Sequence, residues 1–140
     1  KKLKRRLMAK ILIADDEPEV LKISAKKVRE AGHEVVTARD GQEALDRIYK
    51  DQPDVIILDI RMPKLDGFEV LKRLREKPIP KKWQPVIIVS ALGDLEDMKK
   101  GYSLEADYYI SKPCNMTAIL NGIQTMLHLI PVRKSQQEIE

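Results

Sequence analysis

The sequence predicts an α/β protein in which one five-stranded parallel sheet is covered by helices on both faces. Two observations lead to this fold class. Short apolar runs of strand length alternate five times with longer segments in which apolar residues recur at helical spacing. The third apolar run, Val55–Leu58, contains no polar residue, which is typical of a central strand buried on both faces of a parallel sheet. This alternation, without a repeat or a second core, indicates a single α/β domain.

The five predicted strands follow the apolar runs in order. They cover residues 11–14, 34–38, 55–58, 86–89 and 108–111. Polar or turn-forming residues come after each run, so we expect every strand to be short and to end where a loop begins.

Capping and turn residues mark where the helices begin and end. Pro18 stands where the first helix can begin, and Gly32 can terminate that helix. The predicted N-caps of the four later helices are Asp40, Asp66, Asp94 and Asn115. Asp40 and Asp66 are each followed three residues later by glutamate, which has the form of a capping box. One face of the fourth helix is predicted to consist of Met98, Gly101 and Tyr102.

Length and composition are those of one soluble globular domain. The chain has 140 residues, of which 43% are hydrophobic and 34% are charged, so it can bury a core of ordinary size. No apolar run approaches the ~20 residues that span a bilayer, so no membrane contact is expected. The single cysteine, Cys114, excludes an internal disulfide and a cysteine-based zinc site. With no secretory signal pattern either, we expect a cytoplasmic location.

The net charge of +4 comes from a basic head. Without the first seven residues, five of which are lysine or arginine, the net charge is −1. We expect residues 1–8 to be a solvated tail or an expression remnant, residues 9–130 to form the folded domain, and residues 131–140 to be a fraying polar tail. The body has no basic surplus to hold a phosphate backbone, so nucleic-acid binding through this domain is not expected.

Polar and charged side chains stand at the ends of four of the five predicted strands. In chain order they are Asp15 and Asp16, Asp59, Ser90, and Lys112. The carboxyl ends of parallel strands meet at one edge of a sheet, so we expect these side chains to converge there. Three crowded carboxylates repel one another unless a cation joins them, and Mg²⁺ suits them because it takes hard oxygen ligands. Such a site can accept an anionic phosphoryl group on a carboxylate nucleophile.

Four motifs on these elements resemble the receiver domain of two-component response regulators. They are Asp15-Asp16-Glu17-Pro18, Asp59-Ile60-Arg61-Met62-Pro63 with Asp66-Gly67, Ser90-Ala91, and Lys112-Pro113. The resemblance covers residues 9–130. It implies a doubly wound, flavodoxin-like or CheY-like fold with strand order 2-1-3-4-5. It also implies that Asp59 receives a phosphoryl group from the phosphohistidine of a sensor histidine kinase or a phosphotransfer protein.

The same resemblance implies the ligands of a Mg²⁺ ion. Asp16 and Asp59 would be direct ligands, and the backbone carbonyl of Arg61 would be a third. Asp15 would act largely through water. Asp59 would therefore be both the phosphoacceptor and a metal ligand.

The resemblance further implies residues that pass on the signal. Lys112 would contact the phosphoryl group, and the Ser90 hydroxyl would move to bond one of its oxygens. Tyr109 resembles the aromatic switch residue that turns inward, and the peptide bond before Pro113 would be cis. The domain would then be a phosphorylation-activated switch, not an ordinary enzyme, although it would catalyse its own Mg²⁺-dependent phosphotransfer and slow autodephosphorylation. The sequence does not name the downstream effector.

Some positions depart from the family pattern. Glu105 stands where glycine is common, so we expect the end of the fourth helix to be built differently. Cys114 stands where phenylalanine is frequent, and we interpret it as a small buried hydrophobe. Tyr108, Thr117 and Gly122 replace charged residues through which winged-helix transcription factors of the family dimerise. We therefore expect a monomer or a phosphorylation-dependent dimer, from a stand-alone receiver or one outside the winged-helix class.

Other classes of protein fit the residues less well. A haloacid-type phosphatase needs a second aspartate two residues after the nucleophile, where this chain has Arg61. A nucleotide- or flavin-binding sheet needs a glycine-rich loop after the first strand, where this chain has three acidic residues. A nucleic-acid binder rests only on the basic head. A degenerate receiver that folds without being phosphorylated is the nearest alternative, and the complete set of site residues argues against it.

Overall fold

A computed structural model gives the fold for residues 8–91, 95–112 and 115–139, with side chains of the last helix described up to residue 130. Residues 1–7 of the basic head, the predicted cap Asp94, and the pair formed by Pro113 and Cys114 lie outside the described residues.

The five strands form one parallel sheet. The strands are β1 (Lys10–Ala14), β2 (Glu34–Ala38), β3 (Val55–Leu58), β4 (Val86–Ser90) and β5 (Tyr108–Ser111). Their spatial order is β2-β1-β3-β4-β5, and every neighbouring pair is parallel. The predicted fold class is therefore confirmed, and the strand positions match the apolar runs to within a residue.

Five helices connect and cover the strands. They are α1 (Pro18–Glu30), α2 (Gly41–Asp51), α3 (Gly67–Glu76), α4 (Leu95–Ser103) and α5 (Met116–Ile139). Three of the predicted N-caps are formed. The side-chain oxygens of Asp40 and Asp66 each accept a backbone N–H bond of 2.8 Å, and Asn115 accepts one of 2.9 Å. Helix α5 continues past residue 130, where we expected a polar tail to begin.

The sheet separates two apolar cores. Ile11 and Ile13 face the core under α1 and α5, while Leu12 and Ala14 face the core under α2, α3 and α4. Successive side chains of a strand point to opposite faces, so each central strand serves both cores. This explains why β3 is apolar without interruption: all four of its residues are buried.

Helix α4 differs from the prediction in one respect. Gly101 is its buried residue and Met98 is partly buried, but the side chain of Tyr102 is 43% exposed. The prediction that Tyr102 shares the core-facing side of α4 is therefore wrong. Because Gly101 has no side chain, α4 lies close to the sheet along a narrow strip, and the next residue is turned out to solvent.

The end of α4 is built around Glu105, which has a left-handed backbone with φ of 67°. Its carbonyl oxygen accepts a hydrogen bond of 3.1 Å from the Arg75 side chain. The same guanidinium binds the Asp107 carboxylate at 2.9 Å and the Gln84 carbonyl oxygen at 3.0 Å. A left-handed conformation is unfavourable for a residue with a Cβ. The contacts from Arg75 therefore hold in place a turn for which glycine would be the easier choice.

Candidate functional site

The site forms where β1, β3, β4 and β5 end at the carboxyl edge of the sheet. Asp59 N–H donates to the carbonyl oxygen of Ala14 at 3.0 Å, and Lys112 N–H donates to that of Ser90 at 2.8 Å. The backbone pairing thus continues one residue beyond the strands. This extended pairing fixes the positions of the first residues after each strand, and so brings their side chains together.

Lys112 joins two of the predicted aspartates. Its Nζ lies 3.0 Å from an Oδ atom of Asp15 and 3.3 Å from one of Asp59. These three side chains therefore converge in the structure, as predicted. Asp15 and Asp59 are 5% and 7% exposed, so the ion pairs lie away from bulk water, where charges interact more strongly than on a surface.

Burial and charge shift the pKa values of the acceptor and the lysine. Burial raises the pKa of the Asp59 carboxyl, Lys112 opposes this, and the negative charge of Asp15 adds to the rise. Burial alone would lower the pKa of Lys112, but the hydrogen bond to Asp15 and the charges of both aspartates outweigh it and raise that pKa. Burial is thus the main cause of the shift at Asp59, whereas the two aspartates, which carry one more charge than Lys112 can balance, cause the shift at Lys112.

The acidic run after β1 offers ligands for a metal ion. Carboxylate oxygens of Asp15, Asp16 and Glu17 all lie within 4.8 Å of one another. Asp16 and Glu17 are exposed, and the Glu17 N–H donates to Asp15 Oδ1 at 2.9 Å. This set of hard oxygens, next to a buried site with excess negative charge, fits Mg²⁺. Glu17 was not among the predicted ligands, although its place beside two aspartates could have suggested it.

The other predicted ligands lie nearby. Arg61 and Asp16 line one cleft together with Met62 and Asp66. Lys112 links Asp59 to the acidic run, because its Nζ contacts both Asp59 and Asp15.

The predicted switch residues occupy the same region of the sheet. Ser90 ends β4 and is 1% exposed. Tyr109, in β5, is 7% exposed and belongs to the core under α4. The Tyr109 ring is therefore already turned inward in this structure, so no rotation from solvent is needed to reach that position.

Two close contacts near the acceptor were not predicted. Gly67 N–H donates to the Ile60 carbonyl oxygen at 2.7 Å, and a Cβ at Gly67 would collide with the carbonyl oxygen of Asp59. The loop after β3 therefore folds tightly back, which places the first turn of α3 against the acceptor. The sequence indicated a turn at Gly67 but not the contact across it.

An apolar cleft of about 510 Å³ opens beside the acceptor, between α1 and α5. Val20 and Ile23 of α1 line one wall, Met116 and Ile119 of α5 line the other, and Asp59 lies in its lining. The acceptor can therefore be approached along an apolar surface.

A doubly wound sheet of order 2-1-3-4-5, with aspartates after its first and third strands joined by a lysine after its fifth, defines the class of CheY-like receiver folds. The response regulator receiver domain family matches residues 11–124. The chain belongs to this family, and it is a receiver domain of two-component signalling.

The curated relatives are longer proteins. A probable transcriptional regulator, ycf27 of Guillardia theta, is 45% identical over 118 residues, which cover 84% of this chain and 45% of that protein. The alkaline phosphatase synthesis transcriptional regulatory protein PhoP of Bacillus subtilis (strain 168) is 33% identical over 131 residues, covering 94% of this chain and 53% of PhoP. The chain thus spans about half the length of the curated relatives that it matches.

Solved receiver structures superpose over most of the chain. The receiver domain of the Francisella response regulator 1452 is 36% identical with a TM-score of 0.79, covering 84% of this chain and 95% of that one. The Vibrio cholerae chemotaxis protein CheY4 is 33% identical with a TM-score of 0.79, covering 86% and 99%. As a member of the receiver domain family, the domain is a signalling switch.

In the described parts of the chain, no helix combines the length and the apolar character that crossing a membrane requires. The cytoplasmic location stays a prediction.

Proposed function

We propose that Asp59 accepts a phosphoryl group from a phosphohistidine and that the resulting aspartyl phosphate switches a partner-binding surface. The donor would be a sensor histidine kinase or a phosphotransfer protein, and a downstream effector would read the switched surface. The observation that carries this proposal is the position of the Lys112 Nζ, which bonds to both Asp15 and Asp59 at the carboxyl edge of the sheet. Family membership and the buried state of Asp59 support it.

The transfer moves one phosphoryl group without a net proton change at Asp59. A carboxylate oxygen of Asp59 forms a bond to phosphorus while the P–N bond to the donor imidazole breaks, and the bonding electron pair stays with the imidazole nitrogen. Lys112 stays protonated because its pKa is raised, so it can donate hydrogen bonds to the phosphoryl oxygens. Asp15 holds Lys112 beside the acceptor throughout.

Asp15, Asp16, Asp59 and the Arg61 carbonyl would hold Mg²⁺, with Glu17 as a further carboxylate within reach. When bound, the ion offsets negative charge on the phosphoryl oxygens. The same carboxylates would otherwise repel an incoming phosphate. Slow hydrolysis of the aspartyl phosphate by water would return the switch to its resting state.

The switch would begin at Ser90. Its hydroxyl would donate a hydrogen bond to a phosphoryl oxygen on Asp59, which would draw the end of β4 toward the site. Since β4 and β5 pair directly, with Ser90 opposite Ser111, this movement would reach β5 and the inward Tyr109. A charge-assisted hydrogen bond contributes about 1.5–3 kcal/mol, enough to shift the populations of two states but not to convert one fully into the other.

Mass spectrometry tests the acceptor directly. The protein is incubated with acetyl phosphate, with and without Mg²⁺, and the adduct is trapped with borohydride and mapped. We expect one Mg²⁺-dependent adduct, at Asp59, that disappears in Asp59→Ala. An adduct at Asp54 or Asp66 that persists in Asp59→Ala would overturn the assignment. Ser90→Ala should still be modified at Asp59, because it keeps the nucleophile and all of the proposed metal ligands.

A further inference from the structure

Helix α4 meets the core through Gly101, its one fully buried residue, and through the partly buried Met98. Gly101 is the buried residue of α4, and a Cβ placed there would lie 3.0 Å from Ile88 Cδ1, 3.6 Å from Tyr109 Cδ2 and 3.8 Å from Phe68 Cε1. An added methyl group would therefore crowd Ile88 and touch the other two side chains, so the backbone of α4 passes close to Ile88. A helix with one fully buried residue buries little apolar surface, so modest changes beneath it can alter its position.

A second contact ties α4 to α3. The Lys100 Nζ lies 4.6 Å from the centre of the Phe68 ring, which is the geometry of a cation–π interaction. Lys100 is exposed on α4, whereas Phe68 is 7% exposed in the first turn of α3. The ring of Phe68 thus lies beside two successive residues of α4: Lys100, whose charged Nζ faces the ring, and Gly101, where an added methyl group would reach the ring.

Phe68 is also joined to the acceptor side of the site. It follows Gly67, whose backbone touches the Asp59 carbonyl and bonds to the Ile60 carbonyl at 2.7 Å. Gly67 has no side chain that could move aside and absorb a shift between these two backbone segments. A displacement of the segment after β3 must therefore carry the first turn of α3, and the Phe68 ring, along with it.

We propose that Phe68 and Lys100 are positioning residues that couple the loop after Asp59 to α4, by a route separate from Ser90. The proposal rests on the proposed function, because the displacement that it transmits is the one caused by phosphorylation of Asp59. In this proposal α4 has two positions, and the interaction of Lys100 with the Phe68 ring is stronger in one position than in the other. Loss of that contact changes the equilibrium between the positions about two- to five-fold, the size that an exposed cation–π contact supports.

Matched variants separate the cation–π contact from general effects. Lys100→Met keeps the length and apolar stem of the side chain but removes its charge, and Lys100→Arg keeps a cation over the ring. Lys99→Met is the control, because Lys99 is the exposed neighbour on the same helix. Phe68→Leu keeps an apolar side chain in the core but removes the aromatic face.

The readout is the change in α4 amide NMR shifts when beryllofluoride and Mg²⁺ are added, with acetyl phosphate modification of Asp59 measured separately. We expect Lys100→Met to change the population ratio of the two α4 positions about two- to five-fold and so to reduce the α4 response, while the Mg²⁺-dependent adduct still forms at Asp59. Lys100→Arg should restore the response, and Lys99→Met should match the parent. In a Phe68→Leu background, Lys100→Met should have no further effect.

The possible failures are distinguishable. If the parent forms no adduct at Asp59, the proposed function fails. If the adduct forms normally and Lys100→Met keeps the full α4 response of the parent, the coupling route is refuted. The route is also refuted if Lys100→Met weakens the response equally in the Phe68→Leu background, since the lysine would then act without the ring.

Discussion

The α-carbon of Gly67 faces the carbonyl oxygen of Asp59 so closely that no β-carbon fits between them. The two residues belong to different elements, since Asp59 follows β3 and Gly67 begins α3. The backbone of the acceptor is therefore fixed by the start of a helix as well as by its sheet neighbour Ala14. Rigid backbone support of this kind keeps a reacting group in its productive position.

Gly67→Ala is expected to destabilise the domain by about 1–3 kcal/mol, the usual range for overpacking, and to slow modification of Asp59. The atoms that the added methyl meets are backbone atoms, which cannot turn aside. Gly122→Ala in α5 is the matched control: its methyl would meet side-chain carbons, the nearest being Ile87 Cδ1 at 3.3 Å. Urea unfolding measures the stability of the two variants, and acetyl phosphate kinetics measure how fast Asp59 is modified in each. Equal stability of the two variants would contradict the prediction.

Asp59→Asn should stabilise the metal-free domain at neutral pH, by an amount on the order of 1 kcal/mol. Burial first, and then Asp15, raises the pKa of Asp59 in the folded state, so its ionised form disfavours folding. Protonation favours the folded parent, and this contribution is complete below the unfolded pKa of about 3.8 and lost as the pH rises through the folded pKa. The advantage of asparagine should therefore shrink as the pH falls.

Thermal or urea unfolding between pH 3.5 and 7.5, without Mg²⁺, checks this dependence. The exposed Asp46→Asn is the control, for which we expect no comparable gain. A gain from Asp59→Asn that grows toward acid pH would have the wrong sign and would contradict the assigned cause.

Mg²⁺ should raise the melting temperature of the parent. A ligand that binds only the folded state adds RT ln(1 + [L]/Kd) to stability. Asp16→Asn should weaken this response because it removes one proposed ligand, while Asp46→Asn should leave it intact. Calorimetry across a Mg²⁺ series measures the effect, and an unchanged midpoint up to millimolar Mg²⁺ in the parent would argue against a metal site.

Arg75→Met should cost about 2 kcal/mol of unfolding free energy. The Arg75 side chain is 14% exposed, and its guanidinium bonds to Asp107 at 2.9 Å and to two backbone carbonyls. Its removal takes three hydrogen bonds from those acceptors, although the Asp107 carboxylate still accepts the Val86 N–H at 2.8 Å. Arg73→Met is the control, because its pair with Glu69 is largely exposed and should contribute at most about 0.5 kcal/mol. Similar losses of unfolding free energy in the two variants would show that the Arg75 contacts stabilise the domain no more than an exposed ion pair does.

Sedimentation with beryllofluoride should show a monomer, or a dimer that does not use the interface typical of winged-helix receivers. Tyr108 is 45% exposed at the edge strand, where it and Gly122 line a groove instead of a charged surface. We expect the sedimentation coefficient to change little with salt, because the charge pairs of that interface are absent. A tight, salt-sensitive dimer built from α4, β5 and α5 would contradict this expectation.

The features that follow from short stretches of sequence were predictable. The apolar runs gave the strands, and Asp40, Asp66 and Asn115 marked helix starts because a cap depends on residues three positions away. Asp15, Asp59 and Lys112 could be grouped because parallel strands end at one edge.

The features that depend on distant contacts were not predictable. Arg75 and Asp107 are 32 positions apart in the chain, as are Phe68 and Lys100, and one sequence carries no signal that such distant residues pair. Tyr102 was misassigned because helical spacing alone does not show how narrow a strip α4 presents to the sheet.

The sheet that separates the two cores also separates the consequences of mutation. Ile119 and Ile123 of α5 lie in one core, and Phe68 and Tyr109 lie in the other. Distant sites that share no partner usually have additive effects on stability. Core residues beneath α1 and α5 can therefore change in evolution or by design while the surroundings of α4 stay unchanged. The face with the cleft beside Asp59 and the face that carries α4 can in this way evolve as separable parts of one small domain.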